Sequence, residues 1–393
     1  MSGMPHLAKL LFVLSVAIAA ALLPRAATAE SYQVLYRFAH DSGAGPISNL
    51  VADSSGNLYG TTLGGGGGSC KHGCGVIYRL APDGTYSVLY DYQSRKNTYE
   101  PEQVLLDGSG NLYGLTPYGG AEGLGSIFEL SSNGTYTILY SFGGLTTQGY
   151  YPVGLLHDRK GNLFGTTVRG GNADRGVIYE LAPNGTETVL YSFCAETNCS
   201  DGSLPEAGLW QDKDGNLFGT AELGGLYNYG VVFRYSKDGT YSVLHSFGGT
   251  PDDGQKPLAK LIADSAGNLY GTTSLGGTSN NGVVFKIAPD GSETILHQFT
   301  GTDGYYPISD LLLNHHGELI GTAKYGNDTD GGNLFKVKTD GSGFKLIHSF
   351  DRLKKGGFWP TTGVIRVNGV LFGTASKGGL HKYCCGVIYR LSP

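Results

Sequence analysis

The sequence has no surplus of basic residues: 28 Lys and Arg stand against 33 Asp and Glu, a net charge of −5. That excludes an extended nucleic-acid groove, which needs a basic surface. No nucleophile elbow, phosphate loop or zinc-protease helix motif is present. The many Gly-x-Gly strings have no helix behind them to receive a phosphate. Tryptophan is confined to Trp210 and Trp359, and cysteine to six positions. No long helix-period apolar pattern occurs. His40, His72, His315, His316 and His381 share no metal-ligand spacing between repeats, so no metal or cofactor is expected from motifs.

Glycine and aromatic rings are what is abundant: 65 Gly, 26 Tyr and 16 Phe in 393 residues. With no helix pattern, that composition means short strands joined by tight turns. Gly161-Asn162-Leu163-Phe164-Gly165-Thr166-Thr167 recurs from first glycines at 56, 110, 161, 215, 267, 317 and 369. The intervals are 54, 51, 54, 52, 50 and 52 residues, the period of a repeat architecture. One unit reads as four strands. Val153 to His157 leads through Asp158-Arg159-Lys160-Gly161 into Asn162 to Val168. Gly176 to Leu181 then leads through Asn184-Gly185 into Thr186 to Phe193. Asp at the head of a turn and Gly at its end fit hairpin geometry. Four hairpin-linked strands in this length make one propeller blade. The chain after the leader opens on a fourth strand, Tyr32 to Phe38, and closes on a third, Gly386 to Leu391. An all-β, seven-bladed β-propeller of four-stranded antiparallel blades follows, its last blade completed by the N-terminal strand.

Residues 1–29 read as a signal peptide. Lys9 flanks the apolar run Leu10 to Leu23, and Ala27-Thr28-Ala29 matches a cleavage site. The run is too short for a membrane span, and no cysteine follows at a lipid-anchor position. Removing 29 residues from 393 leaves 364, seven times 52, so residues 30–393 are expected to form one propeller domain. The cysteines fall in close sets: Cys70 with Cys74, Cys194 with Cys199, and Cys384 with Cys385. Local disulfides in a secreted or periplasmic protein are the simplest reading. A bond between adjacent Cys384 and Cys385 would be strained, which leaves cross-links to Cys70 or Cys74 as the alternative.

The Gly-Asn-Leu-Tyr-Gly-Thr-Thr, Gly-Gly, Gly-Val-Ile-Tyr and Leu-Tyr-Ser-Phe pattern resembles the GloVer tandem-repeat family of secreted choice-of-anchor proteins. The resemblance spans Tyr32 to Leu391 and implies an exported repeat ectodomain, often with a C-terminal surface anchor. It implies no reaction. Here Pro393 follows the last strand without a sorting tail. A looser resemblance is to kelch propellers, whose late-blade tryptophan is missing.

The tight turns are expected on one face and the longer loops on the other. The loops between blades share a register that ends in proline, as in Gly149-Tyr150-Tyr151-Pro152 and Gly304-Tyr305-Tyr306-Pro307. Tyr99, Tyr150, Tyr151, Tyr305, Tyr306, Phe358 and Trp359 precede these prolines. Such rings can stack on sugars or anchor a peptide, or else pack against the neighbouring blade. Asp201, Asp253 and Asp303 precede the loop glycine in three consecutive blades. Each can cap its own turn. Alternatively they hold Ca²⁺, which prefers several oxygen ligands, with Asp328 and Asp330 in another loop of that face. General acid–base work is a third use. The ligand-binding set is thus Tyr150, Tyr151, Tyr305, Tyr306 and Trp359, with Asp201, Asp253 and Asp303. The chain reads as a monomeric secreted binding module for a carbohydrate or protein ligand, with no catalytic motif in view. A polysaccharide-directed hydrolase or lyase on the long-loop face is the alternative.

Overall fold

The computed structural model describes residues 31–94, 98–143, 148–380 and 384–392. The leader expected over residues 1–29 lies outside them. The described strands form seven antiparallel blades of four strands, the innermost strand split into two segments in the first and fifth, with a two-stranded ribbon beside the second. In the third blade the strands run Gly149–His157, Leu163–Gly170, Val177–Leu181 and Glu187–Ser192, in that order from the axis outward. The seventh blade is Ile365–Val367, Val370–Ala375 and Val387–Ser392, closed by the N-terminal strand Ser31–Arg37. Tyr32 pairs with Leu391 and Arg37 with Val387, antiparallel, as the unmatched ends of the sequence require. No helix among the described residues is long and apolar enough to cross a membrane.

The core sits between blades. Alternate side chains of a third strand enter opposite interfaces: Val177, Tyr179 and Leu181 pack with the second blade, and Ile178 with the fourth. A strand buried on both faces reads as a continuous apolar run, which is why Gly-Val-Ile-Tyr-like segments recur. The aromatic closing each outer strand inserts edge-on against the third-strand ring of the next blade. Phe142 on Tyr179, Phe193 on Phe233 and Phe247 on Phe285 lie 5.3, 5.2 and 5.1 Å apart between centroids. That third-strand ring also explains the second glycine of the repeat. A Cβ at Gly165 would sit 2.3 Å from the Tyr179 hydroxyl and 2.6 Å from the Gly154 carbonyl oxygen. The Asp-x-x-Gly turns follow local chemistry. Asp158 Oδ1 accepts the backbone N–H groups of Lys160 and Asn162, at 2.8 and 2.9 Å.

The cysteines close locally: Cys70–Cys74, Cys194–Cys199 and Cys384–Cys385 are bonded, and no described cysteine is free. The cross-links considered from Cys384 or Cys385 to Cys70 or Cys74 do not form.

Two outcomes test this architecture. Gly165→Ala should lose about 1–3 kcal/mol, the usual cost of overpacking a filled core, seen as a lower denaturation midpoint. Deleting residues 31–38 bares the edge of Val387–Ser392 and should lower the melting temperature and promote aggregation. An unchanged melt of the truncated chain would contradict ring closure.

Candidate functional site

The seven residues before the inter-blade prolines share one unusual backbone state. Gly45, Glu100, Tyr151, Leu204, Lys256, Tyr306 and Trp359 all have positive φ, between +54° and +67°. A residue before proline is ordinarily driven to extended backbone. The state is held because each of these N–H groups donates to the preceding blade, to the carbonyl just before its third-strand glycine. Tyr151 reaches Leu124 at 2.9 Å, Lys256 reaches Tyr229 at 2.8 Å, and Trp359 reaches Gly331 at 2.8 Å. The result is a ring of pre-proline residues, one per blade, on the long-loop face.

These side chains and their neighbours form the mouth of the axial channel. Lys256 Nζ lies 2.8 Å from Glu222 Oε1. Lys324 Nζ lies 5.6, 5.0 and 6.0 Å from the ring centroids of Tyr306, Tyr325 and Trp359. Arg352 approaches the Trp359 ring at 5.4 Å. On the other side Tyr151 meets Tyr118 edge-on at 5.5 Å, and Tyr118 stacks with Tyr99. Just inside stand Glu102 and Glu206, each immediately after its proline, lining a cavity of about 130 Å³. Burial first, then the charges of Glu100 and Glu206, pushes Glu102 up to about 7. Glu206 is raised by burial and Glu222, against the opposing pull of Lys256 and Arg169.

Deeper in, the innermost strands are tied across the axis. Asn49 Nδ2 donates to Asp310 Oδ2 at 2.6 Å, and the N–H of Lys260 donates to Asp310 Oδ1 at 2.9 Å. Gly363 N–H donates to Asn49 Oδ1 at 2.8 Å, and Leu155 N–H to Gln103 Oε1 at 2.6 Å. Burial raises the Asp310 carboxyl above the usual carboxylate range. Asn49, Gln103, Lys260 and Asp310 line the same cavity as Glu102 and Glu206.

The expected site residues divide. Tyr151, Tyr306 and Trp359 are half-buried members of the ring. Tyr150 and Tyr305 turn to neighbouring loops, donating at 2.8 Å to Asp174 and Asp330 respectively, and Phe358 is buried. Asp201, Asp253 and Asp303 are not brought to the mouth. They lie beside the outer strands and cap their loops. Asp201 accepts from the Tyr191 hydroxyl and the Ala195 N–H. Asp253 accepts from the N–H groups of Gly248 and Gly249, and Asp303 bonds His297 at 3.0 Å. Asp330 is engaged by Tyr305 and lies 3.6 Å from Arg352, so it does not join them around a Ca²⁺ ion. Sequence reasoning missed Glu100, Lys256, Glu102 and Glu206. The signal was the proline itself: the residues on either side of it, read in register, name the mouth.

A larger groove of about 930 Å³ opens on the tight-turn face between the third and fourth blades. Its carboxylates Asp158, Asp212 and Asp238 each accept backbone N–H groups of their own turns. Those three carboxylates are committed to their own turns, and the smaller mouth, where rings and raised carboxyls converge, is the better candidate.

Fold and site together define a seven-bladed propeller of tandem repeats with its variable residues gathered at one end of the axis. The chain belongs to the Gloeobacter/Verrucomicrobia repeat family, whose model matches residues 24–220 and again 204–393. No curated protein matches the sequence. Among solved structures, selenomethionine-substituted virginiamycin B lyase from Staphylococcus aureus aligns with a TM-score of 0.62 and 11% identity. That alignment covers 93% of this chain and 99% of that one. The extracellular domain of the putative hybrid two component system BT3049 from B. thetaiotaomicron gives 0.59 at 13% identity, covering 93% of this chain and 41% of that one. The extracellular domain of the putative one component system BT4673 gives 0.59 at 12% identity, over 92% and 40%. At these identities the likeness is one of fold. The three disulfides accord with an oxidising compartment.

The raised Glu102 gives a signed pH dependence. The folded protein keeps this proton at pH values where the unfolded chain has released it. Stability therefore falls as pH rises from the usual carboxylate range through about 7, and the loss is complete above that. Glu102→Gln should raise the melting temperature relative to wild type more at about pH 8.5 than at about pH 5. Equal effects at both would mean that Glu102 is solvated.

Proposed function

We propose that the protein is a secreted or periplasmic binding module that takes an oligosaccharide at the channel mouth. The observation that supports this is the pre-proline ring, which sets Tyr151, Tyr306 and Trp359 around an entrance lined by Glu102 and Glu206. Aromatic faces stack on the apolar faces of sugars, and carboxylates accept from their hydroxyls. The half-buried, cation-flanked Trp359 is well held, because its Nε1 donates to the Asp330 carbonyl at 3.1 Å. Lys256 and Glu222 form an ion pair at the rim, which adds polar groups of both signs.

A second reading, a hydrolase or lyase acting on the same ligand, draws on Glu102. A carboxyl with a pKa near neutrality, standing beside the raised Glu206, suits general acid–base work at neutral pH. A glycan array run beside a reducing-sugar release assay separates the two. Trp359→Ala and Tyr306→Ala should each weaken binding by roughly 1–3 kcal/mol while leaving the melting temperature nearly unchanged. For a pure binder no sugar is released. For an enzyme, Glu102→Gln retains binding and abolishes release. Normal binding by both ring variants, or unfolding of both, makes the rings structural seals and sinks the assignment.

A further inference from the structure

Around the perimeter, adjacent blades are joined by a second set of stacked rings. Tyr36 lies on Tyr86, Tyr90 on Tyr136, Tyr191 on Tyr241, His297 on Phe344 and His348 on Tyr32, with centroids 3.5–4.0 Å apart. In each pair the first ring belongs to one outer strand and the second to the outer strand of the next blade. Two interfaces replace the second ring by a carboxylic acid. At one, Tyr140 faces Glu187, and the Glu187 charge adds to burial in raising the Tyr140 phenol. At the other, His245 of the fourth blade faces Glu293 of the fifth, and here the pattern fails.

His245 Nε2 lies 3.5 Å from Glu293 Oε2 and 3.6 Å from Asp253 Oδ2, too far for a hydrogen bond to either. The comparison within the ring is direct: the equivalent His297 bonds its Asp303 at 3.0 Å. His245 Nε2, Asp253 Oδ1 and Glu293 Oε1 are all buried and have no hydrogen-bond partner outside these three residues. Asp253 is only 4% exposed. Its other oxygen is already fixed by the Gly248 and Gly249 N–H groups, so the free Oδ1 is held by the backbone. One ligand atom from each of the three residues lies within 4.8 Å of the others. Buried, unpaired atoms of this kind carry a desolvation cost that some partner normally relieves.

We propose that His245, Asp253 and Glu293 form a divalent transition-metal site of the zinc type, clamping the outer strand of the fourth blade to that of the fifth. Zinc binds imidazole nitrogen and carboxylate oxygen at about 2.0–2.2 Å, which in a tetrahedron puts ligand atoms roughly 3.3–3.6 Å apart. The 3.5 Å between His245 Nε2 and Glu293 Oε2 falls on that edge length, and Asp253 brings a carboxylate oxygen within 4.8 Å of both residues' ligand atoms. One nitrogen and two carboxylates suit zinc and its first-row neighbours. They do not suit Ca²⁺, which wants six to eight oxygens. The His245 and Glu293 side chains keep 18% and 15% exposure, enough for an ion to enter and for water to fill the fourth position.

The test uses the full exported chain, stripped with EDTA and dialysed against Zn²⁺, with Ca²⁺ as the control ion. Metal content and thermal melting are read together. Wild type should retain one zinc per chain and melt several degrees higher with zinc than without, while Ca²⁺ does neither. Glu293→Tyr restores the stacked pair found at Tyr191 and Tyr241. It should fold, melt independently of zinc and retain none. Should that variant fail to fold, His245→Gln removes the ring nitrogen, keeps a polar side chain and should lose the zinc in the same way. Wild type without bound zinc overturns the proposal. So does a folded variant that keeps zinc as wild type does, since the ion would then lie elsewhere.

Discussion

The ring depends on one contact made seven times. The third-strand glycine of each blade, with φ between +85° and +108°, lets the proline of the next blade come against it. A Cβ at any of Gly75, Gly125, Gly176, Gly230, Gly282, Gly332 or Gly386 would lie 2.4–2.8 Å from that proline's Cδ. The carbonyl just before the glycine then accepts the pre-proline N–H of the next blade, at 2.8–3.1 Å in all seven interfaces. Glycine supplies the approach, proline fixes the backbone that approaches, and the hydrogen bond sets the height of one blade against its neighbour. Ring packing then fills the space around the lock, with each outer-strand aromatic pressed against a third-strand ring. The residue between lock and proline is forced into a conformation that only glycine adopts freely, at a cost of order 1–3 kcal/mol for each non-glycine. Six of the seven positions carry a side chain regardless. Glycine, as at Gly45, would relieve that strain everywhere, so the retained side chains mark where the scaffold gives way to another demand.

That demand is the channel mouth. The locked positions are the ones the fold presents around the axis, and they are also the ones it does not fix in chemistry. Gly45, Glu100, Tyr151, Leu204, Lys256, Tyr306 and Trp359 are seven different answers to one backbone requirement, apart from the shared Tyr. Directly inside, Ile47, Glu102, Val153, Glu206 and Leu258 vary in the same way. The tight-turn face shows the opposite economy. Asp53, Asp107, Asp158, Asp212 and Asp264 repeat the same pair of N–H acceptances almost without change. Repetition there and variation at the mouth separate scaffold from site without any reference to a ligand.

The architecture was legible because it is periodic and local. Asp-x-x-Gly-Asn turns, the glycine under each third-strand ring and the unmatched terminal strands each state their geometry within a few residues. The site was only half legible. Paired aromatics such as Tyr150-Tyr151 and Tyr305-Tyr306 read as one patch, but the second of each pair takes the left-handed backbone state and its side chain parts from the first. The first of each pair turns to a loop carboxylate, and only the second joins the ring. Glu102 and Glu206 gave no motif, since what raises them is the company of other blades, which one repeat cannot show. Asp201, Asp253 and Asp303 were visible as a series. Their destination beside the outer strands depends on which residue of the fourth strand meets them.

That series shows how a repeat fold generates chemistry from one altered neighbour. The loop aspartate meets a phenol at Tyr191, an imidazole at His297 and, between them in sequence, an imidazole at His245. In the first and third cases the next blade offers an aromatic ring, Tyr241 or Phe344, which stacks on the partner and lets it settle against the aspartate. In the middle case the next blade offers Glu293. The stack is lost, a second carboxylate enters, and the imidazole stands between two acids with no hydrogen bond to either. The aspartate and histidine are the same residue types as one blade further on. The second carboxylate comes from the facing position, which neither residue's own blade encodes. A site of this kind belongs to the interface, and it comes into being only when the ring closes neighbouring blades to the spacing set by the glycine–proline lock.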